Sequence, residues 1–202
     1  MTPLERRTAR LFNERTGRSV VVPVDDSLIA GPINGLSRLA SKVGQIVDAR
    51  PDALLGYPGQ LAHVQDVRLP WIMNVSASTT RSHHTRKTRI MTVEDAVRSG
   101  ADAVAVHLNI TSRYETEMLR DLGLTVNEAH RLSVPVVAII YPRREGDAGD
   151  DNYWGARAAA SKEYMALVSH CVRIGADLGV AVVKTQYTNS PESFREVTGI
   201  AA

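Results

Sequence analysis

Cysteine is almost missing from this 202-residue chain. Cys171 stands alone, which excludes a disulfide framework and a cysteine-rich zinc site. A charge of one sign is missing too: 24 basic against 22 acidic residues leave a formal +2, too near neutrality for a dedicated nucleic-acid binder. No apolar run approaches the roughly 20 residues of a membrane span. The first ten residues carry Arg6, Arg7, Arg10 and Glu5 and lack the apolar stretch of a secretory signal. The expectation is a soluble, cytoplasmic protein with neither a membrane nor a nucleic-acid partner. Lysine is scarce as well. Lys42, Lys87, Lys162 and Lys184 are the only four among the 24 basic residues, so each can be considered singly.

What is present is ordinary globular composition, 44% apolar and 23% charged, which excludes a disordered or collagenous chain. Short β-branched runs alternate with longer helical patterns. The runs are Ser19 to Val24, Ala53 to Leu55, Trp71 to Val75, Ala103 to Leu108, Val134 to Ile140 and Val180 to Val183. Near-continuous apolar segments of this kind suit parallel strands buried on both faces. Between them, Thr92 caps a helix that stops at Gly100. Another runs from Tyr114 to Leu122 and ends at Gly123, and a further one covers Val126 to Arg131. The longest, Ala156 to Ile174, ends at Gly175. Alternating β and α predicts an α/β fold with a parallel sheet.

A doubly wound sheet usually carries a glycine-rich phosphate turn after its first strand, and no GxGxxG occurs here. Instead polar residues end several strands: Asp25, Asn74, His107, Tyr141 and Lys184. In a (β/α)8 TIM barrel the active site forms at those ends. The expected fold is therefore a TIM barrel, incomplete because about six βα units are visible where such a barrel commonly needs about 250 residues. The whole chain, 1–202, reads as one domain truncated at its C-terminus. An unclosed barrel exposes two strand edges, a hazard that a partner must cover, so a homo-oligomer is expected.

Lys184 ends an apolar strand, which is costly unless the amine is paired, exposed at a rim, or used chemically. Desolvation would lower its pKa and free the amine to attack carbonyls. Tyr141, followed by Pro142 and Arg143, places a phenol where it can move a proton. Asp25 and Asp26 end the first strand, although adjacent acids also suit a turn or cap. A carboxylate, a phenol and an amine at one barrel mouth are the parts of a Schiff-base aldolase. His107 and the pair His83-His84 have no second ligand at metal spacing, so neither a metal nor a cofactor is expected. Cys171 lies in a helical pattern and reads as core packing. The dense basic run 81–89 reads first as a solvated loop, and second as a phosphate or subunit contact.

At these residues the chain resembles the archaeal-type class I fructose-bisphosphate aldolases and their relatives, the 2-amino-3,7-dideoxy-D-threo-hept-6-ulosonate synthases. The matching segments are Val22-Pro-Val-Asp25, Gly31-Pro-Ile-Asn-Gly-Leu36 and Gly100-Ala-Asp-Ala-Val-Ala-Val-His107. Asp121-Leu-Gly, Ile140-Tyr-Pro-Arg143 and Val183-Lys-Thr-Gln-Tyr-Thr188 follow in family order. The resemblance implies that Lys184 forms the Schiff base, Tyr141 donates a proton and Asp25 accepts one. It implies substrate contacts from Asp26, Ser27, Leu28, Ile29, Pro142 and Arg143. The implied activity is making or breaking a carbon–carbon bond in a ketose phosphate or with dihydroxyacetone phosphate, with a small sugar phosphate as the partner. The alternatives are a heptulosonate-type synthase, an acyl or aldol transferase, or an inactive truncated aldolase with a structural role. The family usually reads Asp-His-Gly where this chain has Asp25-Asp26-Ser27. It also continues into seventh and eighth strands with glycine-rich phosphate loops, which this chain lacks.

Overall fold

The computed structural model describes residues 1–61, 63, 68–146, 149–159 and 161–201. Helix α1 (Pro3–Ala9) precedes β1 (Val21–Pro23), α2 (Asp26–Ala30), α3 (Leu39–Asp48), β2 (Ala53–Gly56) and α4 (Pro58–Leu61). Then come β3 (Trp71–Asn74), β4 (Ser76–Ala77), β5 (Thr88–Arg89), α5 (Val93–Arg98), β6 (Ala103–Ile110) and α6 (Glu115–Arg131). The chain continues through β7 (Val136–Pro142), β8 (Arg144–Gly146), β9 (Gly149–Asp151), α7 (Trp154–Ala158), α8 (Lys162–Leu178), β10 (Val182–Lys184) and α9 (Pro191–Gly199).

The main sheet has the order β1-β2-β3-β6-β7-β10, and every neighbouring pair is parallel. All six apolar runs read from the sequence became its strands. The order follows the chain without reversal, which is the winding of a barrel; a doubly wound sheet reverses at a switch point. This is an incomplete TIM-barrel fold. The hairpins β4–β5 and β8–β9 are antiparallel additions beyond the ends of β3 and β7.

Side chains alternate between the two faces of each strand, because the strand period is two. Leu54, Met73, Val104, Val106, Leu108, Ala138 and Ile140 pack with Leu122, Val126, Ala129 and Cys171 of the covering helices. The alternate positions Ala53, Leu55, Ile72, Ala103, Ala105, Val137 and Ile139 form a second cluster on the inner face, with Leu11. Cys171 is fully buried, and burial pushes its thiol up to about 12, so it packs as the sequence suggested.

Two helices differ from the sequence expectation. Helix α6 runs unbroken through Gly123, joining what read as two helices. Leu122, Val126 and Ala129 keep one face buried across the glycine, which outweighs the roughly 1 kcal/mol a helical glycine costs. Helix α8 passes Gly175 and stops at Gly179, whose left-handed backbone (φ 76°) terminates it. It begins at Lys162 on the cap Ser161, apart from α7, rather than at Ala156.

Gly175 has a different use. A Cβ there would lie 2.2 Å from Cγ2 of Val183, so its absence lets β10 approach α8. Gly175→Ala is therefore expected to destabilise the fold by about 1–3 kcal/mol through overpacking, despite alanine's better helix propensity. Urea unfolding checks this, and an unchanged midpoint would mean that Val183 simply moves aside.

Candidate active site

The inner-face alternation carries past the apolar layer to the C-terminal ends of the strands. Stepping by two from inner-face positions leads from Pro23 to Asp25, from Ile72 to Asn74, from Ala105 to His107, from Ile139 to Tyr141 and from Val182 to Lys184. All five end residues line one cavity of about 270 Å³. The same pleat that packs the barrel interior thus aims the polar side chains into one mouth.

Asp26, Ile29 and Arg143 also line this cavity. Asp26 and Ile29 stand three apart on α2 and share a face. Ser27, Leu28 and Pro142 are not brought to its wall. Ser27 accepts a hydrogen bond from Gln60 Nε2 at 3.3 Å, and Leu28 is exposed. Pro142 is out of phase with Tyr141 and stays in the β6–β7 ladder opposite Ile110. Lys184 is not buried in a strand interior; it is exposed at the rim, at the end of β10 where that strand pairs with β7.

Asp25 is buried and accepts a hydrogen bond from Asn74 Nδ2 at 2.8 Å. Burial pushes its carboxyl above the ordinary range, with the Asp26 charge adding to it, while Asn74 and the Lys184 ammonium act in opposition. A carboxyl raised in this way is a stronger proton acceptor than an ordinary aspartate. Asn74 Oδ1 in turn accepts from the Ser76 amide at 3.1 Å and hydroxyl at 3.2 Å. Ser76 Oγ accepts from the His107 amide at 3.0 Å, which ties β4 to β6. Tyr57 also lines the cavity, but its hydroxyl donates to the Ser76 carbonyl at 2.9 Å.

His107 is held neutral. Burial pushes its pKa well below the ordinary value, helped by the charges of Lys87, Lys184 and Arg143. The Asn109 amide nitrogen donates to the Thr85 carbonyl at 2.6 Å, so Oδ1 faces His107 Nε2 at 3.1 Å and that nitrogen carries the proton. The His107 ring meets Tyr141 edge-on, with centroids 5.3 Å apart.

The sequence pattern marks neither Lys87 and His84, which lie in the basic run 81–89 that suits a solvated loop, nor Ser78 just before it. Arg81 and Arg86 are exposed, but Thr85 is fully buried and Lys87 is only 4% exposed. The pairing of β4 with β5 closes the segment like a clasp, and Glu145 accepts from the Thr85 hydroxyl. Lys87 and His84 line the cavity. The signal available in the sequence was lysine's scarcity within a run otherwise supplied by arginine and histidine.

Glu145 also accepts from Ser112 Oγ at 2.6 Å and from the Arg113 amide at 3.1 Å. Burial opposes its charge, but these hydrogen bonds and that from Thr85 prevail and hold it down to about 2. A depressed carboxylate stabilises the fold fully above its unfolded value of about 4.5, and that contribution disappears as pH falls toward 2. Glu145→Gln should therefore be less stable than the parent at pH 7, with the gap in melting temperature narrowing between about pH 4.5 and 2. A gap that stays constant with pH would remove the carboxylate from this role.

Among the described residues no helix is long and apolar enough to cross a membrane, and no group of three His, Cys, Asp or Glu side chains gathers as metal ligands.

The signature of the DeoC/LacD family aldolases matches residues 19–201. A 2-amino-4,5-dihydroxy-6-oxo-7-(phosphonooxy)heptanoate synthase of Streptomyces griseus is 33% identical over 196 residues, 95% of this chain and 67% of that protein. A 2-amino-3,7-dideoxy-D-threo-hept-6-ulosonate synthase of Halobacterium salinarum is 34% identical over 200 residues, 97% of this chain and 71% of that protein. An archaeal fructose 1,6-bisphosphate aldolase superposes with a TM-score of 0.81 at 24% identity, covering 98% of this chain and 76% of that one.

Proposed function

We propose, for a chain that belongs to the DeoC/LacD family of aldolases, that it performs class I aldol chemistry through an imine on Lys184. The observation that carries this reading is the convergence of Lys184, Tyr141 and Asp25 on one cavity. The neutral amine adds to a ketone carbon, and loss of water leaves an iminium ion. That cation accepts the electron pair when the adjacent carbon–carbon bond breaks, giving an enamine; in the reverse direction the enamine attacks an aldehyde. Tyr141 supplies a proton during dehydration. Asp25, with its raised pKa, takes the proton of the reacting hydroxyl on cleavage and returns it on formation.

The substrate class is a ketose phosphate or dihydroxyacetone phosphate with an aldehyde partner. A second reading, a synthase of the aminoheptulosonate type, is favoured by sequence. The relatives at 33–34% identity carry that activity in their names, whereas the fructose-bisphosphate aldolase resembles this chain in fold at 24%. Asp26 and Ile29 of α2 and Arg143, which line the cavity, are assigned to substrate contact in either case. Borohydride reduction with dihydroxyacetone phosphate tests the common step: a stable adduct on the protein is expected, and its absence would overturn the imine. Product analysis with different aldehydes then separates the two readings.

A further inference from the structure

Only two charged side chains among the described residues are buried, Asp25 at 7% exposure and Lys87 at 4%. Both open on the same cavity. The aldol steps above use Asp25 and leave Lys87 without a task. Burying a lysine is unfavourable unless its charge is matched by interactions or serves the site.

The amine is held in place rather than trailing in solvent. Its Nζ donates to Ser78 Oγ at 2.7 Å and reaches His84 Nδ1 at 3.4 Å. Ser78 spends its own proton on the His84 carbonyl at 2.9 Å, so its oxygen is free to accept from the amine. Lys87 stands at the base of the β4–β5 hairpin, and its backbone amide rests on Met118 Sδ at 3.3 Å. That anchoring sets the ammonium against the β3 and β6 side of the mouth. Lys184 stands on another part of the same wall, on β10 at one end of the strand order.

The charges in the cavity are graded accordingly. Asp25 is influenced by Asp26 and Lys184. His84 is held down to about 4, by burial first and then by Lys87 and Arg143, so it is uncharged at neutral pH. His107, between them, feels Lys87, Lys184 and Arg143 together. The cavity therefore holds the nucleophile and the proton-transfer carboxyl together with a second ammonium, that of Lys87. The Lys87 ammonium is fixed beside the neutral His84 imidazole on the cavity wall, a setting for an anion rather than a cation.

We propose that Lys87, positioned by Ser78 and His84, is a specificity-determining anchor for the anionic end, carboxylate or phosphate, of the aldehyde joined to the Lys184-bound carbon. This rests on the aldol reading. A ketone bound to Lys184 occupies the β7–β10 side. An aldehyde placed to receive its new bond lies over Tyr141 and His107, with its far end toward Lys87. Aldehydes of equal length without a terminal charge would lose this contact.

Unreactive ligand pairs test the anchor without imine formation: glycerol 3-phosphate against glycerol, and 4-hydroxybutanoate against its methyl ester. Calorimetry on the whole chain is expected to show the charged member of at least one pair binding roughly tenfold to a hundredfold tighter, as a charge-assisted hydrogen bond allows. The pair that shows the preference identifies phosphate or carboxylate. Lys87→Gln should bring the two members to near equality, and Lys87→Arg should keep most of the preference. If Lys87→Gln does not fold, acetic anhydride labelling of the parent protein gives the same answer: the charged ligand should protect Lys87 and the neutral one should not. No preference in either pair, a preference that survives Lys87→Gln, or equal protection by both ligands would overturn the anchor. Borohydride trapping of dihydroxyacetone phosphate is run on the same preparations. Trapping retained while the preference ignores Lys87 removes the anchor alone; trapping lost removes the aldol reading, and with it the assignment of the anion to an aldehyde.

Discussion

Lys184→Met is expected to abolish borohydride-trapped adduct with dihydroxyacetone phosphate while leaving the melting temperature nearly unchanged. The chemistry requires an amine with a lone pair, and methionine keeps the length of the side chain without it. Lys184→Arg should fail equally, since a guanidinium does not lose its proton in a protein and cannot be the nucleophile. The fold should tolerate both changes, because Lys184 is exposed and exposed substitutions usually move stability by within about 0.5 kcal/mol. The experiment has a built-in competitor, because Lys87 lines the same cavity. Peptide mapping of the adduct on the parent protein should therefore locate it on Lys184. Full trapping in Lys184→Met, with the adduct mapped to Lys87, would move the nucleophile across the cavity and recast the mechanism.

Tyr141→Phe should slow turnover by roughly 10²–10⁴-fold, the usual cost of losing a positioned acid or base. The aromatic ring that meets His107 edge-on is retained, so packing changes little and the loss belongs to the hydroxyl. Imine should still form, more slowly, because carbinolamine dehydration can draw a proton from water. The expected result is a trapped adduct with a large fall in kcat. Unchanged kcat would reduce Tyr141 to a packing partner of His107, and loss of both adduct and fold would show that its hydroxyl is structural.

The strands were legible in the sequence because parallel strands buried on both faces need nearly unbroken apolar runs, and each of the six runs is a strand of the sheet. The barrel mouth was legible too: Asp25, Asn74, His107, Tyr141 and Lys184 are polar residues ending such runs, and a pleat of period two carries each to the inner face. Helix ends were less so. A glycine in a helical pattern can stop the helix, as Gly179 does, ride within it, as Gly123 does, or admit a neighbour, as Gly175 does for Val183. Those three outcomes depend on what packs against the helix, which no local pattern contains.

The basic run marks the same boundary more sharply. Its composition suits a solvated loop, and Arg81 and Arg86 behave that way. Lys87 is buried because Thr85 is held by Asn109 and Glu145, which lie 24 and 60 residues further along the chain. Ser27, Leu28 and Pro142 show the converse: neighbours of site residues in sequence, they are turned away by helix rotation and strand alternation. Sequence by itself determined which segments bury apolar surface and which polar groups end them, because both follow from local periodicity. Tertiary structure decided which charges share a cavity and which are buried, because desolvation and pairing are set by groups that meet only when the sheet curls.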